Sequence, residues 1–215
     1  MKYCIWAILF LMGPFFFAQD AVPFEKEVEE IVKRNDSLWD SSKETIVFVG
    51  SSSIRFWKDL QERFPERQVL NAGFGGSQTS DLLIHLDDLV LRYQPKKVFI
   101  YEGDNDIFDR KRPKSILGTT ETIIEKLHQD NPEREIVLIS AKPSLSRWKL
   151  RGKYKRLNKK MKEFALENSK VDFINVWNPM LNKRKVREDI FIEDGLHMNE
   201  KGYDIWYNTI KEYVD

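Results

Sequence analysis

The sequence predicts an α/β fold of three layers, in which a parallel sheet of about five strands lies between two layers of helices. Short runs rich in β-branched and aromatic residues alternate with longer stretches whose apolar residues recur at helical spacing. Strands that are separated by helices in this way pair in parallel, because each helix carries the chain back across one face of the sheet.

The alternation extends from about residue 23 to the end of the chain. The predicted strands are 45–49 (TIVFV), 68–71, 97–101 (KVFIY), 135–140 and 171–176. The predicted helices are 23–36, 56–64, one from Ser77 or Thr79 to Arg92, 114–129, 153–168 and 199–213. In the last helix, Tyr203, Trp206 and Ile210 are expected to pack into the core and to fix the preceding loop. With no internal repeat, residues 19–215 are expected to form one domain.

The first twenty residues differ from the rest of the chain. Lys2 precedes an apolar run over residues 4–17, which ends before Ala18. This layout is typical of a secretory signal peptide, so we expect cleavage after Ala18 and export to the periplasm or the medium. An uncleaved membrane anchor is the alternative, but the run is short for a span and Gly13-Pro14 interrupts it.

Composition excludes several classes of function. The 35 Lys and Arg residues balance 34 Asp and Glu residues, and a formal net charge of +1 gives no basis for binding nucleic acid. The single cysteine, Cys4, lies in the predicted leader, so the mature chain would have neither thiol catalysis nor a thiolate metal site. A hydrophobic content of 41% is enough for a core without disulfides.

Polar, glycine-containing segments follow the predicted strands. The carboxyl ends of parallel strands lie at one edge of a sheet, so we expect these segments to meet there and to form the site. They are GSSSIRFW (50–57), AGFGGSQTS (72–80), EGDNDIFD (102–109), AKPSLSRW (141–148) and, before the last helix, EDGLHMN (193–199).

One of the three histidines lies in these segments. His85 and His128 fall in predicted helices among apolar residues, where structural roles are expected. His197 follows Asp194 by three residues, a spacing at which the carboxylate can accept the Nδ1 proton and leave Nε2 free as a base. Such pairs are common in turns before helices, so this spacing alone does not establish catalysis.

Four of the segments, taken in order, resemble the sequence blocks of the SGNH (GDSL-type) hydrolases, a family of serine esterases. Ser51 stands where that family usually has Asp, a position outside its catalytic triad. The resemblance implies a flavodoxin-like sheet and ester hydrolysis without a metal or an organic cofactor. The matching positions are Gly50-Ser51-Ser52, the turn that ends at Gly76, Gly103-Asp104-Asn105-Asp106, and Asp194-Gly195-Leu196-His197.

The resemblance implies a role for each of five residues. Ser52 would be the nucleophile, His197 the general base, and Asp194 the group that orients the imidazole. The backbone N–H groups of Ser52 and Gly76 and the side-chain amide of Asn105 would form the oxyanion hole. A glycine at position 76 would let the backbone approach closely enough to donate.

The remaining serines and aspartates of these segments are assigned other roles. Ser51 and Ser53 are expected to be turn and helix-cap residues. The alternation of Asp104, Asp106 and Asp109 is somewhat like that of calcium ligands, but the downstream Glu of an EF-hand is missing, so no metal is expected.

Five larger side chains near the predicted edge are candidates for substrate binding. Their aromatic and guanidinium groups are suited to stacking on a sugar or to holding a carboxylate. In the alternative, the tryptophans pack in the core and the cations are solvated. These residues are Arg55, Trp57, Lys142, Arg147 and Trp148.

The sequence therefore predicts an exported serine esterase, acting on a small-molecule or saccharide ester. No inserted lid is recognisable, which favours a short acyl group on a polar, carbohydrate-like alcohol. A lysophospholipase or thioesterase of the same family is the alternative enzyme, and a catalytically silent carbohydrate-binding relative is the alternative outside catalysis. A nucleotide-binding protein is disfavoured, since no Gly-x-Gly-x-x-Gly or Walker-type loop follows the first strand.

Overall fold

A computed structural model describes residues 22–214. The predicted leader, residues 1–18, lies outside the described residues. The central sheet has five parallel strands in the order β2-β1-β3-β4-β5, which confirms the predicted flavodoxin-like α/β fold. The strands are β1 (Thr45–Gly50), β2 (Gln68–Gly73), β3 (Lys97–Tyr101), β4 (Glu135–Ile139) and β5 (Val171–Ile174); a small antiparallel hairpin comprises β6 (Leu181–Asn182) and β7 (Lys185–Val186).

Helices cover both faces of the sheet. Val47 and Val49 belong to one buried cluster, together with residues of the first, third, fourth, sixth and seventh helices. Ile46 and Phe48 point the other way and pack with the second and last helices. The α-helices are α1 (Glu25–Leu38), α2 (Ser52–Arg55), α3 (Thr79–Ile84), α4 (Leu86–Leu89), α5 (Asp104–Phe108), α6 (Pro113–Asp130), α7 (Arg151–Glu167) and α8 (Glu200–Ile210).

Residues 56–64 do not form the predicted helix; they make a series of turns. Trp57, Leu60 and Phe64 are buried, and their spacing of three and four residues imitates a helical face. The side chain of Gln61 accepts a hydrogen bond from the backbone of Val69 (2.8 Å) and donates to the carbonyl of Arg67 (2.9 Å). Such side-chain bonds to backbone groups compete with helix formation.

The helix predicted to end at Arg92 is also interrupted. The chain leaves helical geometry at His85 and continues as α4 and a 3-10 turn over Leu91–Tyr93. The His85 ring is buried against Phe74, and its Nε2 lies 2.5 Å from the carbonyl oxygen of Pro23. His85 thus has a structural role, as expected, and its ring connects α3 to the segment before α1.

The last helix packs as predicted, with Tyr203, Trp206 and Ile210 buried in the second cluster. The Tyr203 hydroxyl donates to the carbonyl of Ser53 at 3.0 Å, which connects α8 to α2. Within residues 22–214, no helix combines the length and the apolar character that a membrane crossing requires.

Candidate active site

The end of β1 requires a glycine. Gly50 has φ of 141°, and a Cβ atom there would lie 2.0 Å from the carbonyl oxygen of Tyr101. That carbonyl accepts the N–H of Ser51 at 3.1 Å, so the chain turns directly against β3 and places Ser52 as the first residue of α2. Ser51 is the N-cap residue of α2 in this turn, as expected, although its side chain makes no capping hydrogen bond. Ser53 lies inside the helix, so a capping role is wrong for Ser53.

Ser52, His197 and Asp194 lie in one hydrogen-bonded row. The Oγ atom of Ser52 is 3.0 Å from Nε2 of His197, and Nδ1 of His197 is 2.5 Å from Oδ2 of Asp194. An imidazole held in this way keeps its proton on Nδ1, which leaves the Nε2 lone pair facing the hydroxyl. This geometry suits proton transfer from Ser52 to His197.

The carboxylate of Asp194 is held in its ionised form. Desolvation opposes ionisation, but the N–H groups of Leu196 (2.8 Å) and His197 (2.9 Å) donate to Oδ1 and the His197 ring donates to Oδ2. These bonds lower the pKa of Asp194 to about 2. The carboxylate is therefore charged at any pH at which the imidazole acts as a base.

The loop that carries Asp194 and His197 is fixed from two sides. The carbonyl of Gly195 accepts the N–H groups of Leu145 (2.9 Å) and Ser146 (3.1 Å), from the loop after β4. On the other side, the N–H of Ile192 donates to the carbonyl of His197 at 3.0 Å. His197 is thus positioned by backbone contacts that the sequence spacing alone did not show.

The backbone donors predicted for an oxyanion hole are unpaired. Within residues 22–214, neither the N–H of Ser52 nor that of Gly76 has a hydrogen-bond acceptor. Gly76 has φ of 77°, and beyond its chain neighbours no described heavy atom lies within 4 Å of the place of a Cβ. The left-handed backbone therefore requires a glycine here, and the space beside it is open.

Asn105 lies in the first turn of α5, two residues after Gly103. Its Nδ2 donates to the carbonyl of Ser77 at 2.8 Å, next to Gly76 in the chain. One of the two amide hydrogens is used in this bond, and the other has no acceptor among the described residues. The amide of Asn105 and the N–H of Gly76 thus belong to one connected segment.

The three aspartates considered as cation ligands have separate partners. Asp104 accepts from Arg147, Asp106 accepts from Thr79, and Asp109 accepts from Gln78. The described residues contain no group of three or more His, Cys, Asp or Glu residues placed to hold a metal ion.

Two of the candidate substrate residues are packing residues. Trp57 is 0% exposed and packs edge-on against Phe48 and Trp206, so it cannot reach a substrate. Trp148 is half-buried and stacks on Trp177 with ring centroids 5.9 Å apart. The prediction of a substrate contact is wrong for Trp57, because burying its large apolar ring in the core stabilises the fold more than exposing the ring at the edge of the sheet would.

The candidate cations are paired. Arg55 remains half-exposed at the edge, with Nε 3.1 Å from Oε1 of Glu27 in α1. Lys142 is 1% exposed, and its Nζ donates to the carbonyl of Leu196 at 2.7 Å. Arg147 is largely buried and donates to Asp104 at 2.7 Å. Lys142 and Arg147 are thus neither solvated nor free for a substrate, since both form ion pairs with the buried carboxylate of Asp104.

Two carboxylates at the site were missed in the sequence. Oε1 of Glu27 accepts the N–H of Gly75 at 2.9 Å, and Glu102 is buried with Oε1 2.7 Å from Oγ of Ser77. Nothing in the sequence relates Glu27 to a loop 48 residues away. Glu102 was recognisable as an acid that directly follows an apolar strand.

Comparisons with solved structures agree with this architecture. A candidate platelet activating factor from Streptococcus pneumonia is 27% identical with a TM-score of 0.77, covering 88% of this chain and 94% of its own. A GDSL-like lipase from Bacteroides thetaiotaomicron is 20% identical with a TM-score of 0.75 (87% and 96% covered). A carbohydrate esterase family 3 protein from Talaromyces cellulolyticus is 16% identical with a TM-score of 0.66 (80% and 96% covered). The last two show the fold alone.

A search of curated proteins found no match to this chain. The profile of the GDSL-like lipase/acylhydrolase family matches residues 36–205, which include the strands, the Ser52 turn and the loop with Asp194 and His197. The chain therefore belongs to the GDSL-like lipase/acylhydrolase family.

Proposed function

We propose that this protein is a serine esterase that works through an acyl-enzyme. The observation that carries the proposal is the row Ser52–His197–Asp194, with its distances of 3.0 and 2.5 Å. Oγ of Ser52 bonds to the acyl carbon as its proton passes to Nε2 of His197. The ester C–O bond then breaks, and the imidazolium gives that proton to the leaving alcohol. Water repeats the sequence to release the acid.

The negative oxygen of each tetrahedral intermediate needs donors at the same edge. The unpaired N–H groups of Ser52 and Gly76 and the second amide hydrogen of Asn105 provide three. Each donor of this kind is typically worth about 10²–10³ in kcat. This chemistry uses the chain's own groups.

For the substrate we propose a short acyl group, with a polar alcohol such as an O-acetylated sugar. Arg55 lies in the same short helix as Ser52, and its half-exposed guanidinium supplies a polar group for such an alcohol. Residues 1–18 are proposed to be a leader that directs export. Mass spectrometry of protein recovered outside the cytoplasm tests the cleavage site after Ala18.

A second candidate, a lysophospholipase or thioesterase, is favoured by one observation. Exposed apolar side chains occur on the loops that carry the site: Phe56 (39% exposed), Phe108 (55%), Leu145 (38%) and Ile192 (51%). The Phe56 ring meets the His197 ring edge-on at 5.0 Å, and Leu145 lies against Gly195. Such a rim suits an acyl chain longer than acetyl.

The experiment that tests the proposal is p-nitrophenyl ester hydrolysis by purified residues 19–215 and by Ser52→Ala. Wild type should turn over, and the variant should lose roughly 10³-fold or more of kcat. Mass spectrometry after a fluorophosphonate probe should place the label on Ser52. Equal activity of the two proteins, or label elsewhere, would refute Ser52 as the nucleophile. Acetate, octanoate, sugar-acetate and lysophospholipid substrates then separate the two candidates.

A further inference from the structure

We propose that Arg147 is a positioning residue that fixes the orientation of the Asn105 amide toward the reacting oxygen. This inference rests on the proposed function, in which Asn105 donates to the oxyanion. A single nitrogen of Arg147, Nη1, lies 3.1 Å from Oδ1 of Asn105 and 2.7 Å from Oδ1 of Asp104. Arg147 therefore acts on the amide and not on the substrate.

The two partners of the Asn105 amide define the positions of its oxygen and its nitrogen. A guanidinium can only donate, so the amide atom that faces Arg147 must be the oxygen. The carbonyl of Ser77 can only accept, so the amide atom 2.8 Å from it must be the nitrogen. Rotating the amide by half a turn would oppose donor to donor and acceptor to acceptor. The second N–H is consequently held in one direction before a substrate arrives.

Arg147 is itself held by a buried carboxylate. Asp104 is 4% exposed and accepts from the hydroxyls of Tyr154 (2.5 Å) and Tyr101 (3.0 Å) as well as from Arg147. The guanidinium also lies over the ring of Phe108, 4.4 Å from its centroid. Burial opposes the charge of Asp104, but Lys142 and Arg147 lower its pKa below the ordinary value. An ionised Asp104 fixes Arg147 in one rotamer.

Asp104 is also connected, through Lys142, to the loop that carries Asp194 and His197. Nζ of Lys142 lies 3.6 Å from Oδ2 of Asp104 and donates to the carbonyl of Leu196 at 2.7 Å. Leu196 lies between Asp194 and His197 in the chain. The cluster of Asp104, Lys142 and Arg147 thus connects the Asn105 amide to the triad loop through groups that lie in the interior of the protein.

A double-mutant cycle tests the proposal. Wild type, Arg147→Met, Asn105→Ala and the double variant are compared on p-nitrophenyl acetate. Arg147→Met should lower kcat about ten- to a hundredfold with KM unchanged, a fraction of the 10²–10³ typical of a lost donor. In the double variant, kcat should match Asn105→Ala within about twofold, because there is no amide left to orient.

Arg147→Met removes one of the two cations beside the buried Asp104, and thermal unfolding detects whether this variant unfolds. Arg147→Lys serves in that case. The lysine keeps the buried charge balanced and should recover part of kcat, and this recovery should vanish in the Asn105→Ala background. Losses that multiply in the double variant, or a rise in KM alone, would overturn the positioning role. Ser52→Ala runs in parallel: if it is as active as wild type, the proposed function fails and the role of Arg147 fails with it.

Discussion

Oγ of Ser52 and Nε2 of His197 lie 3.0 Å apart, although 145 residues separate them in the chain. Neither residue is placed by its immediate sequence neighbours alone. Ser52 is placed by the turn at Gly50 against β3, and His197 by the contacts of its loop with Leu145 and Ile192. The pair is thus a product of the sheet topology, which brings the carboxyl ends of β1, β3 and β4 to one edge.

Asp194→Asn should lower kcat by about 10³–10⁴ while the protein stays folded. Oδ1 of Asp194 accepts two backbone N–H groups, and in the variant the oxygen of Asn must remain there. Its NH₂ group is then forced to face Nδ1 of His197 and to donate to it. The imidazole proton moves to Nε2, and the base no longer faces Ser52.

Because the pKa of Asp194 is about 2, this loss should have a similar size from about pH 5 to pH 9. The matched control is Asp189→Asn, which replaces an exposed carboxylate paired with Arg187 in the segment before the loop. Its kcat should stay within about twofold of wild type. An Asp194→Asn variant with near-normal kcat would contradict the orienting role.

The sequence predicted the sheet well, because β1, β3 and β4 are almost entirely buried and read as apolar runs. It predicted the segment after Ser52 poorly. Trp57, Leu60 and Phe64 have helical spacing, but Gln61 takes the backbone partners that a helix would need. Hydrophobic periodicity indicates which residues are buried. It does not indicate which hydrogen-bond partners the backbone groups between them have.

Among the site residues, the short-range patterns were informative and the long-range pairings were not. Asp194 and His197 are three residues apart, and their contact follows from the turn between them. Arg147 and Asp104 are 43 residues apart, and nothing in either segment indicates that the cation is buried. Only the packing of α7 and α5 at the edge of the sheet shows that Arg147 contacts Asn105.

Glu102→Gln should become more stable relative to wild type as the pH rises. Burial raises the pKa of Glu102 well above its ordinary value of 4.5, so the folded protein keeps the proton while the unfolded chain loses it above that pH. The neutral acid can donate to Oγ of Ser77, whose own proton goes to the carbonyl of Phe74. Glutamine keeps a donor there and does not titrate.

The sign follows from linkage. Between the unfolded and folded pKa values the native state binds more protons, so wild type loses stability with rising pH. Thermal unfolding of both proteins between pH 4 and pH 8 should show the difference in Tm growing in favour of Glu102→Gln. Glu167→Gln, at an exposed position of α7, is the control for the substitution itself. A difference that is constant with pH would contradict a neutral Glu102.

Gly50→Ala should destabilise the protein by about 2–6 kcal/mol, the sum expected for strained backbone and an overpacked site. The new Cβ would lie 2.0 Å from the carbonyl oxygen of Tyr101, which is backbone and cannot turn away. Gly118→Ala is the opposite case, because Gly118 lies inside α6 with no described heavy atom near the place of its Cβ. That variant should gain about 0.5–1 kcal/mol. Urea unfolding measures both, and a neutral Gly50→Ala would disprove the steric requirement at the turn.

Ile192→Ser should change the preference for acyl-chain length. Ile192 is 51% exposed, and its N–H donates to the carbonyl of His197, so an exposed apolar residue lies next to the His197 loop. If this rim contacts the acyl chain, removing it should lower kcat/KM for p-nitrophenyl octanoate about three- to tenfold relative to the acetate, the size expected for a few lost methylene contacts. Leu166→Ser is the control, since Leu166 is 78% exposed at the far end of α7. An octanoate-to-acetate ratio that is the same in Ile192→Ser, Leu166→Ser and wild type would exclude Ile192 from substrate binding and would favour the short-acyl candidate.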